Sequence, residues 1–240
     1  VDYVYIVSNH ASHTGYAMKV LEKNKVVYVE KPISVTHEQL IKLYKVVLKK
    51  SKLFYCGYNR PHSPFIKKIM EDYTSEINSG PISLSCYVRG HYIPEQHWYR
   101  EPEEGTRVCG NVGHWIDLFF SIIWKRLDSI SCFNLNIISS DKNSPDDNCI
   151  LSITTDAGDL FSVIISSRTE PFEGINESID LQAGELNAKI DDFRTLTLNV
   201  GSKLVKKKLL FKDVGHKSAI DQPFNKHRQR YFLEYFVSSF

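Results

Sequence analysis

The chain opens with strands and helices in strict alternation, and this order constrains its fold more than any other feature. Runs of β-branched and aromatic residues at Val4–Val7 and Val26–Val29 are typical of strands buried on both faces, and Lys52–Cys56 gives a third strand. The segments between them have helical periodicity, and the second begins at Thr36, a predicted N-cap. A β-α-β-α-β order predicts a parallel sheet with right-handed crossovers.

The pattern changes after Gly57, where strands begin to follow one another directly. Such runs favour a large open, mainly antiparallel sheet covered by helices on one face. We therefore predict two parts, residues 1–57 and residues 58–240. The elements predicted in the second part are helices at Ser63–Tyr73, Asn111–Trp124 and from about Asn225 to the end, a strand at Ile82–Tyr92, and successive strands from Leu127 to Phe211.

Composition excludes several classes of function. The net charge is only +2, and the basic runs at Lys49–Lys50 and Lys206–Lys208 are short. The sequence therefore does not predict the basic surface of a nucleic-acid-binding protein. The longest apolar stretch, Leu118–Trp124, is far below the roughly 20 residues that span a bilayer. Five widely spaced cysteines indicate neither a disulfide framework nor a zinc knuckle, and they favour the reducing cytoplasm. Because the chain begins in a strand and ends in a predicted helix, we expect a fragment.

Polar residues follow all three predicted strands of the first part. These clusters are Ser8–His13, Glu30–Pro32 and Gly57–Arg60. The carboxyl ends of parallel strands meet at one edge of a sheet, where the ligands of such folds bind. The sequence therefore predicts a ligand site at this edge.

Lys31 is the strongest candidate for a catalytic residue at that edge. A lysine at the mouth of a buried strand can donate to a substrate oxygen and stabilise a developing alkoxide. The alternative is a surface lysine that merely precedes the turn at Pro32.

A second candidate lies on the helix predicted from Asn111. Asn111, His114 and Asp117 are spaced so that they share one helical face. A histidine there can act as a general base, since its ordinary pKa is near physiological pH. The alternative is a structural histidine bonded to Asp117.

Other catalytic classes find little support. The nine histidines include His10 and His13, whose spacing is not that of a zinc-binding H-E-x-x-H helix, so we predict no metal site. Neither the G-x-S-x-G elbow of α/β-hydrolases nor the phosphate-binding G-x-x-x-x-G-K-[ST] loop occurs.

Taken together, these segments resemble the glucose–fructose oxidoreductase/inositol dehydrogenase family, Gfo/Idh/MocA. The resemblance runs in order over nearly the whole chain, and the motifs are specific in combination. They are the strand and loop Val4–His13, the E-K-P signature at Val29–Pro32, G-[FY]-N-R-x-x-x-P at Gly57–Pro64, and a substrate-domain signature at His97–Trp98, Glu101–Gly105 and Gly110–Leu118.

The resemblance implies an NAD- or NADP-dependent oxidoreductase that transfers a hydride to or from a carbon of a sugar, nucleotide-sugar or cyclitol. It makes residues 1–57 the C-terminal part of a Rossmann dinucleotide-binding domain, and residues 58–240 an α+β domain for substrate binding and oligomerisation. The resemblance also implies homodimers or homotetramers that form through the open sheet, and it predicts a cis Lys31–Pro32 bond. The implied site residues are Lys31 and His114 for catalysis, Ser8, Asn9, His13, Glu30, Lys31 and Asn59 for the cofactor, and Asn111, Asp117, Arg60 and Trp98 for the substrate.

Three departures from the family pattern stand out. Gly110 replaces an aspartate that many members carry four residues before the histidine, and Asn111 is expected to substitute for it in part. Gly105–Arg107 stands where a run of glycines is usual. No G-x-G-x-x-G occurs, so we expect a fragment that lacks the pyrophosphate-binding unit and exposes a sheet edge. A non-catalytic sugar-binding or assembly subunit of the same fold is the alternative, and the sugar, the choice of NAD or NADP, and the reaction direction stay open.

Overall fold

The structure is a computed structural model, and it describes residues 1–50, 53–140, 146–168 and 175–208. The helix predicted from about Asn225 and the strand residues predicted beyond 208 lie outside the described residues. The chain divides into two compact units. Their described parts lie within Val1–Asn59 and Ile93–Phe120 for the first unit, and within Arg60–Tyr92 and Ser121–Ser218 for the second.

The first unit contains the predicted parallel sheet. Strand β2 (Val26–Val29) lies between β1 (Tyr3–Ile6) and β3 (Phe54–Cys56) and is parallel to both. The helices α1 (His13–Glu22) and α2 (His37–Lys49) follow β1 and β2. The predicted order of strands and helices is therefore confirmed.

Strand β1 is less buried than its apolar sequence predicts. Tyr3, Tyr5 and Val7 are 67%, 59% and 72% exposed, whereas Ile6 is buried. The prediction that Val4–Val7 is buried on both faces is wrong, because β1 forms an edge of the three-stranded sheet and has one neighbour there. The expected exposed sheet edge is present at this strand.

Helix α2 begins where the sequence predicts. The Thr36 hydroxyl accepts from the Gln39 backbone N–H at 3.2 Å, and the Gln39 side chain accepts in return from the backbone N–H of Val35 at 2.9 Å. An N-cap of this kind stabilises a helix by about 1 kcal/mol. The Gln39 amide also donates to the Ala11 carbonyl, so the cap holds the loop after β1.

The second unit begins with α3 (Pro64–Asp72), α4 (Thr74–Asn78) and strand β4 (Ile82–Arg89). The helix α5 (Gly113–Ile122), preceded by a π-helical turn at Val108–Val112, contributes its residues up to Phe120 to the first unit. The remaining strands are β5 (Phe133–Ser139), β6 (Cys149–Thr155), β7 (Leu160–Ser166), β8 (Asn176–Ala183), β9 (Leu186–Asp191), β10 (Thr195–Val200) and β11 (Lys203–Lys208).

These strands and β4 form an eight-stranded sheet in the order β11-β10-β9-β8-β4-β7-β6-β5. Every pair is antiparallel except β4 with β7. Buried and more exposed residues alternate along β4 and β8, as expected when one face of a sheet covers a core. The predicted large, mainly antiparallel sheet is confirmed.

Asp159 anchors the turn between β6 and β7. Its carboxylate accepts from the backbone N–H of Ile82 at 2.9 Å, from the Thr155 hydroxyl at 2.8 Å and from the Arg126 guanidinium at 2.5 Å. The Asp159 side chain is 0% exposed and that of Arg126 is 13% exposed, so this is a buried ion pair with additional hydrogen bonds. It ties the start of β4 to the turn.

The exposed face of the same sheet carries a row of large apolar side chains. Tyr87, Ile164, Ile150 and Ile138 are in register across β4, β7, β6 and β5. Their exposed fractions are 36%, 36%, 39% and 56%, respectively. We call these four residues the apolar row.

Three further observations concern the cysteines, membrane-spanning helices and metal ligands. All five cysteines are free thiols. No described helix is both long enough and apolar enough to cross a membrane. Within the described ranges, no three histidine, cysteine, aspartate or glutamate side chains are arranged to hold a metal ion.

Candidate active site

The polar clusters predicted at the three strand ends share one edge of the parallel sheet. Ser8 and Asn9 follow β1, Glu30 and Lys31 follow β2, and Asn59 lies shortly after β3. Because all three strands run in the same direction, their carboxyl ends lie at the same edge. The geometry therefore assembles the predicted ligand edge within the first unit.

Lys31 is directed at the segment that precedes α5. Its ammonium donates to the Gly110 carbonyl at 3.0 Å. The side chain is half-buried, and the Lys31–Pro32 peptide bond is cis, as expected. Lys31 is thus held inside the unit and is not a solvated surface lysine.

Glu30 is fixed by its neighbours. Its carboxylate accepts from the Tyr28 hydroxyl and from the backbone N–H of Lys31, each at 3.2 Å. A Cβ atom placed on Gly57 would lie 2.9 Å from both carboxylate oxygens. Glycine at position 57 therefore leaves the space in which Glu30 sits.

His114 and Asp117 lie on the first two turns of α5, and each is 7% exposed. The Tyr58 ring meets His114 edge-on, with ring centroids 5.6 Å apart and an interplanar angle of 86°. Burial raises the pKa of the Tyr58 phenol well above its usual value, and nearby Cys56, Cys109 and Asp117 add to this effect. Tyr58 is consequently a neutral hydroxyl beside the histidine.

Glu104 clamps the loop after β1, and sequence reasoning gave it no role of its own. Its carboxylate accepts from the Asn9 amide at 2.5 Å and from the Ala11 backbone N–H at 3.1 Å. Burial opposes ionisation of Glu104, but these hydrogen bonds and His10 outweigh it and lower its pKa. Its place in the motif Glu101–Gly105 was the available signal.

His10 is a second residue that sequence reasoning left without a role. It is buried, and its Nδ1 lies 3.1 Å from the Glu104 carbonyl oxygen, so Nδ1 carries the proton. Burial lowers the pKa of His10, and the nearby Lys31 charge lowers it further. The ring is therefore neutral near pH 7. The edge contact with the half-exposed ring of Trp98, 5.0 Å between centroids, places that predicted substrate residue beside it.

Ser8 and His13 lie at the same edge but differ in burial. Ser8 is exposed, and its hydroxyl lies 2.6 Å from that of Ser12. His13 is fully buried, with Nδ1 at 2.7 Å from the Pro32 carbonyl and Nε2 at 3.0 Å from the Ser8 carbonyl. His13 therefore links two of the loops that form the edge.

Asn111 and Arg60 complete the predicted set. Asn111 lies in the π-helical turn and accepts from the Tyr99 hydroxyl, another residue without a role in the sequence prediction, at 2.6 Å. Arg60 belongs to the second unit and pairs there with the buried carboxylate of Glu177. The first unit thus contains ten of the predicted residues, namely Ser8, Asn9, His13, Glu30, Lys31, Asn59, Trp98, Asn111, His114 and Asp117.

Comparison with known proteins gives a family match over the first part of the chain. Residues 1–58 match the family model Gfo/Idh/MocA, described as an oxidoreductase family with an NAD-binding Rossmann fold. No curated protein sequence matches the chain.

Solved structures resemble the chain over most of its length. They include a protein from Thermotoga maritima (TM-score 0.70, 16% identity, 87% of this chain and 65% of that chain). An inositol dehydrogenase homologue from Azotobacter vinelandii, complexed with NAD+, has a TM-score of 0.70 and 16% identity over 87% of this chain and 57% of that one. UDP-N-acetylglucosamine 3-dehydrogenase from Acidithiobacillus ferrooxidans has a TM-score of 0.69 and 14% identity over 100% and 71%. At such identities the likeness shows the fold, and the chain spans 65% and 57% of the first two proteins.

Proposed function

We propose that this chain is part of an NAD- or NADP-dependent sugar-type dehydrogenase, because residues 1–58 match the model of the Gfo/Idh/MocA oxidoreductase family, described as having an NAD-binding Rossmann fold. It transfers a hydride to or from a hydroxyl-bearing carbon of a sugar, nucleotide-sugar or cyclitol. Residues 1–57 contribute to cofactor binding and residues 58–240 to substrate binding. The observation that carries the proposal is the bond from the Lys31 ammonium to the Gly110 carbonyl, about one helical turn before His114.

The polar groups at the sheet edge fit a dinucleotide. The fixed carboxylate of Glu30 suits ribose hydroxyls, and the exposed Ser8 hydroxyl and Asn9 amide offer further hydrogen bonds. His13, buried with both ring nitrogens near carbonyls, orders this edge from within. When bound, NAD(P) accepts or supplies the hydride.

The chain's own residues handle the proton and the charge. In the oxidative direction the C–H bond breaks with its electron pair leaving as hydride, the hydroxyl proton passes to His114, and the C=O bond forms. The Lys31 ammonium stabilises the negative charge that develops on this oxygen. Asp117 lies on the same face of α5 as His114, and Trp98 and Asn111 contact the substrate.

Two of the similar solved structures support this substrate class. One is an inositol dehydrogenase homologue complexed with NADH and myo-inositol, and the other is a UDP-N-acetylglucosamine 3-dehydrogenase. The five free thiols suit a reducing compartment, and we place the protein in the cytoplasm.

Cofactor binding tests the proposal directly. The protein as its gene encodes it should enhance the fluorescence of NADH or NADPH on titration. Glu30→Gln should weaken binding about tenfold or more, since a hydrogen bond to a charged group contributes about 1.5–3 kcal/mol. Glu38→Gln is the matched control, because Glu38 is exposed on α2 and pairs only with Lys42 among the described ion pairs.

A protein that binds neither nucleotide would favour the alternative, a non-catalytic sugar-binding or assembly subunit. Equal affinity of Glu30→Gln and the wild type would remove the role given to Glu30.

The apolar row fits a second copy of the chain. It crosses four adjacent strands, and such a face is more often an interface between subunits than a solvated surface. Ile164→Lys should therefore shift a dimer or tetramer to a smaller species in light scattering after size-exclusion chromatography. Ser75→Lys is the control for added charge, because Ser75 is exposed on α4, outside the sheet. A wild-type monomer at micromolar concentration would contradict the homo-oligomer.

A further inference from the structure

Tyr99 fills the space above Gly110. A Cβ atom built on Gly110 would lie 1.6 Å from the Tyr99 hydroxyl oxygen and 2.5 Å from the ring carbon that bears it. Both distances are well below the van der Waals separation of two atoms, so a side chain at position 110 would clash with Tyr99 in its present place. Gly110 does not have a positive φ, so the lack of space and not the backbone conformation requires glycine there.

The Tyr99 hydroxyl also orients Asn111. It donates to Asn111 Oδ1 at 2.6 Å, a length typical of an O–H···O bond and short for N–H···O. With its carbonyl oxygen engaged, the Asn111 amide presents its NH2 group to other partners. Asn111 is thereby set as a hydrogen-bond donor.

A ring contact fixes Tyr99, and Gly110 connects it to Lys31. The Tyr99 ring meets His10 edge-on, with centroids 4.7 Å apart and an interplanar angle of 82°. The carbonyl of Gly110, the residue over which the Tyr99 hydroxyl lies, accepts from the Lys31 ammonium. One residue thus lies against both the residue that binds Lys31 and the side chain of Asn111.

We propose that Tyr99 is a positioning residue that holds the Asn111 amide as a hydrogen-bond donor to a substrate oxygen. The Lys31 ammonium binds the reacting oxygen, and the Asn111 NH2 group binds a second oxygen of the same substrate. This inference rests on the proposed function and adds a positioning residue and a second polar contact to its substrate site.

The orientation of Asn111 can be measured without any substrate. Tyr99→Phe removes only the hydroxyl and leaves the ring against His10 and Gly110. In 15N NMR spectra it should shift the side-chain NH2 signals of Asn111 and speed their exchange with water, whereas Tyr16→Phe, on the exposed side of α1, should leave both unchanged. Unmoved Asn111 signals in Tyr99→Phe would overturn the proposal.

Kinetics then separate positioning from general loss of structure. With myo-inositol or UDP-N-acetylglucosamine as the probe, Tyr99→Phe should raise KM about tenfold while kcat changes much less, because a bond worth about 1.4 kcal/mol is lost from binding. Asn111→Ala should raise KM equally, and the double variant should be no worse than Asn111→Ala alone. The proposal would be overturned if the KM increases of the two single variants added up in the double variant, or if the KM of Tyr99→Phe were unchanged.

The two measurements distinguish failure of this inference from failure of the proposed function. Turnover of neither probe by the wild type, together with the expected NMR shifts, would count against the sugar-type substrate and would retain Tyr99 as the residue that orients Asn111. Turnover of a probe by the wild type, together with unshifted Asn111 signals in Tyr99→Phe, would retain the sugar-type substrate and count against Tyr99 as the residue that orients Asn111.

Discussion

Lys31→Met should lower kcat by about a hundred- to a thousandfold, the effect of removing one donor that stabilises a developing oxyanion. Methionine keeps most of the length of the side chain but has no charge and no N–H. The ammonium that now binds the Gly110 carbonyl would be absent, and so would the stabilisation of the alkoxide. The rate of NADH or NADPH formation with saturating myo-inositol or UDP-N-acetylglucosamine measures this loss.

Lys42→Met is the matched control for this variant. Lys42 lies on α2, 59% exposed, and forms a surface ion pair with Glu38, so its loss should leave turnover nearly unchanged. Lys31→Arg adds a second comparison, because it keeps the charge but has a planar, bulkier head group. Normal turnover by Lys31→Met would show that Lys31 is not catalytic.

Asp159→Ala should produce the largest loss of stability, about 3–5 kcal/mol of unfolding free energy. The substitution leaves the buried Arg126 guanidinium without its carboxylate and removes the acceptor of the Ile82 N–H. Urea unfolding followed by circular dichroism gives this free energy. Removal of both charges in Arg126→Met/Asp159→Leu should recover part of the loss, since no charge is then left buried alone.

The control for this prediction lies three residues away. Asp156 is exposed and accepts from Ser131, so Asp156→Ala should cost about 1 kcal/mol or less. Equal losses of unfolding free energy for Asp156→Ala and Asp159→Ala would contradict the prediction that the buried ion pair makes the larger contribution to stability.

Local sequence patterns predicted the elements because they depend on neighbouring residues. The N-cap at Thr36 and the buried strand Val26–Val29 follow from hydroxyl chemistry and from an unbroken apolar run. Burial of β1 could not be predicted in the same way, because it depends on how many strands pair with it. The same run of apolar side chains suits a central strand or an edge.

The candidate site was predictable in part, for a related reason. Polar residues at strand ends and the spacing of His114 and Asp117 are visible in the sequence. Glu104 and Tyr99 come from an irregular segment whose contacts reach far along the chain, to Asn9 and to Gly110. Sequence periodicity does not predict contacts between such distant segments. The structure nevertheless gives a physical reason for glycine at position 110, because Tyr99 fills the space that a side chain would need.

The π-helical turn at Val108–Val112 has a consequence for how this sequence can change over evolutionary time. Each residue added to or removed from a helical segment rotates everything after it by about 100° around the axis. Deletion of Val108 alone would swing His114 away from Tyr58 while leaving every functional side chain in the sequence. Natural selection on this segment therefore acts on its length as well as on its composition, and related sequences should tolerate substitutions at Val108, Cys109 and Val112 more readily than insertions or deletions.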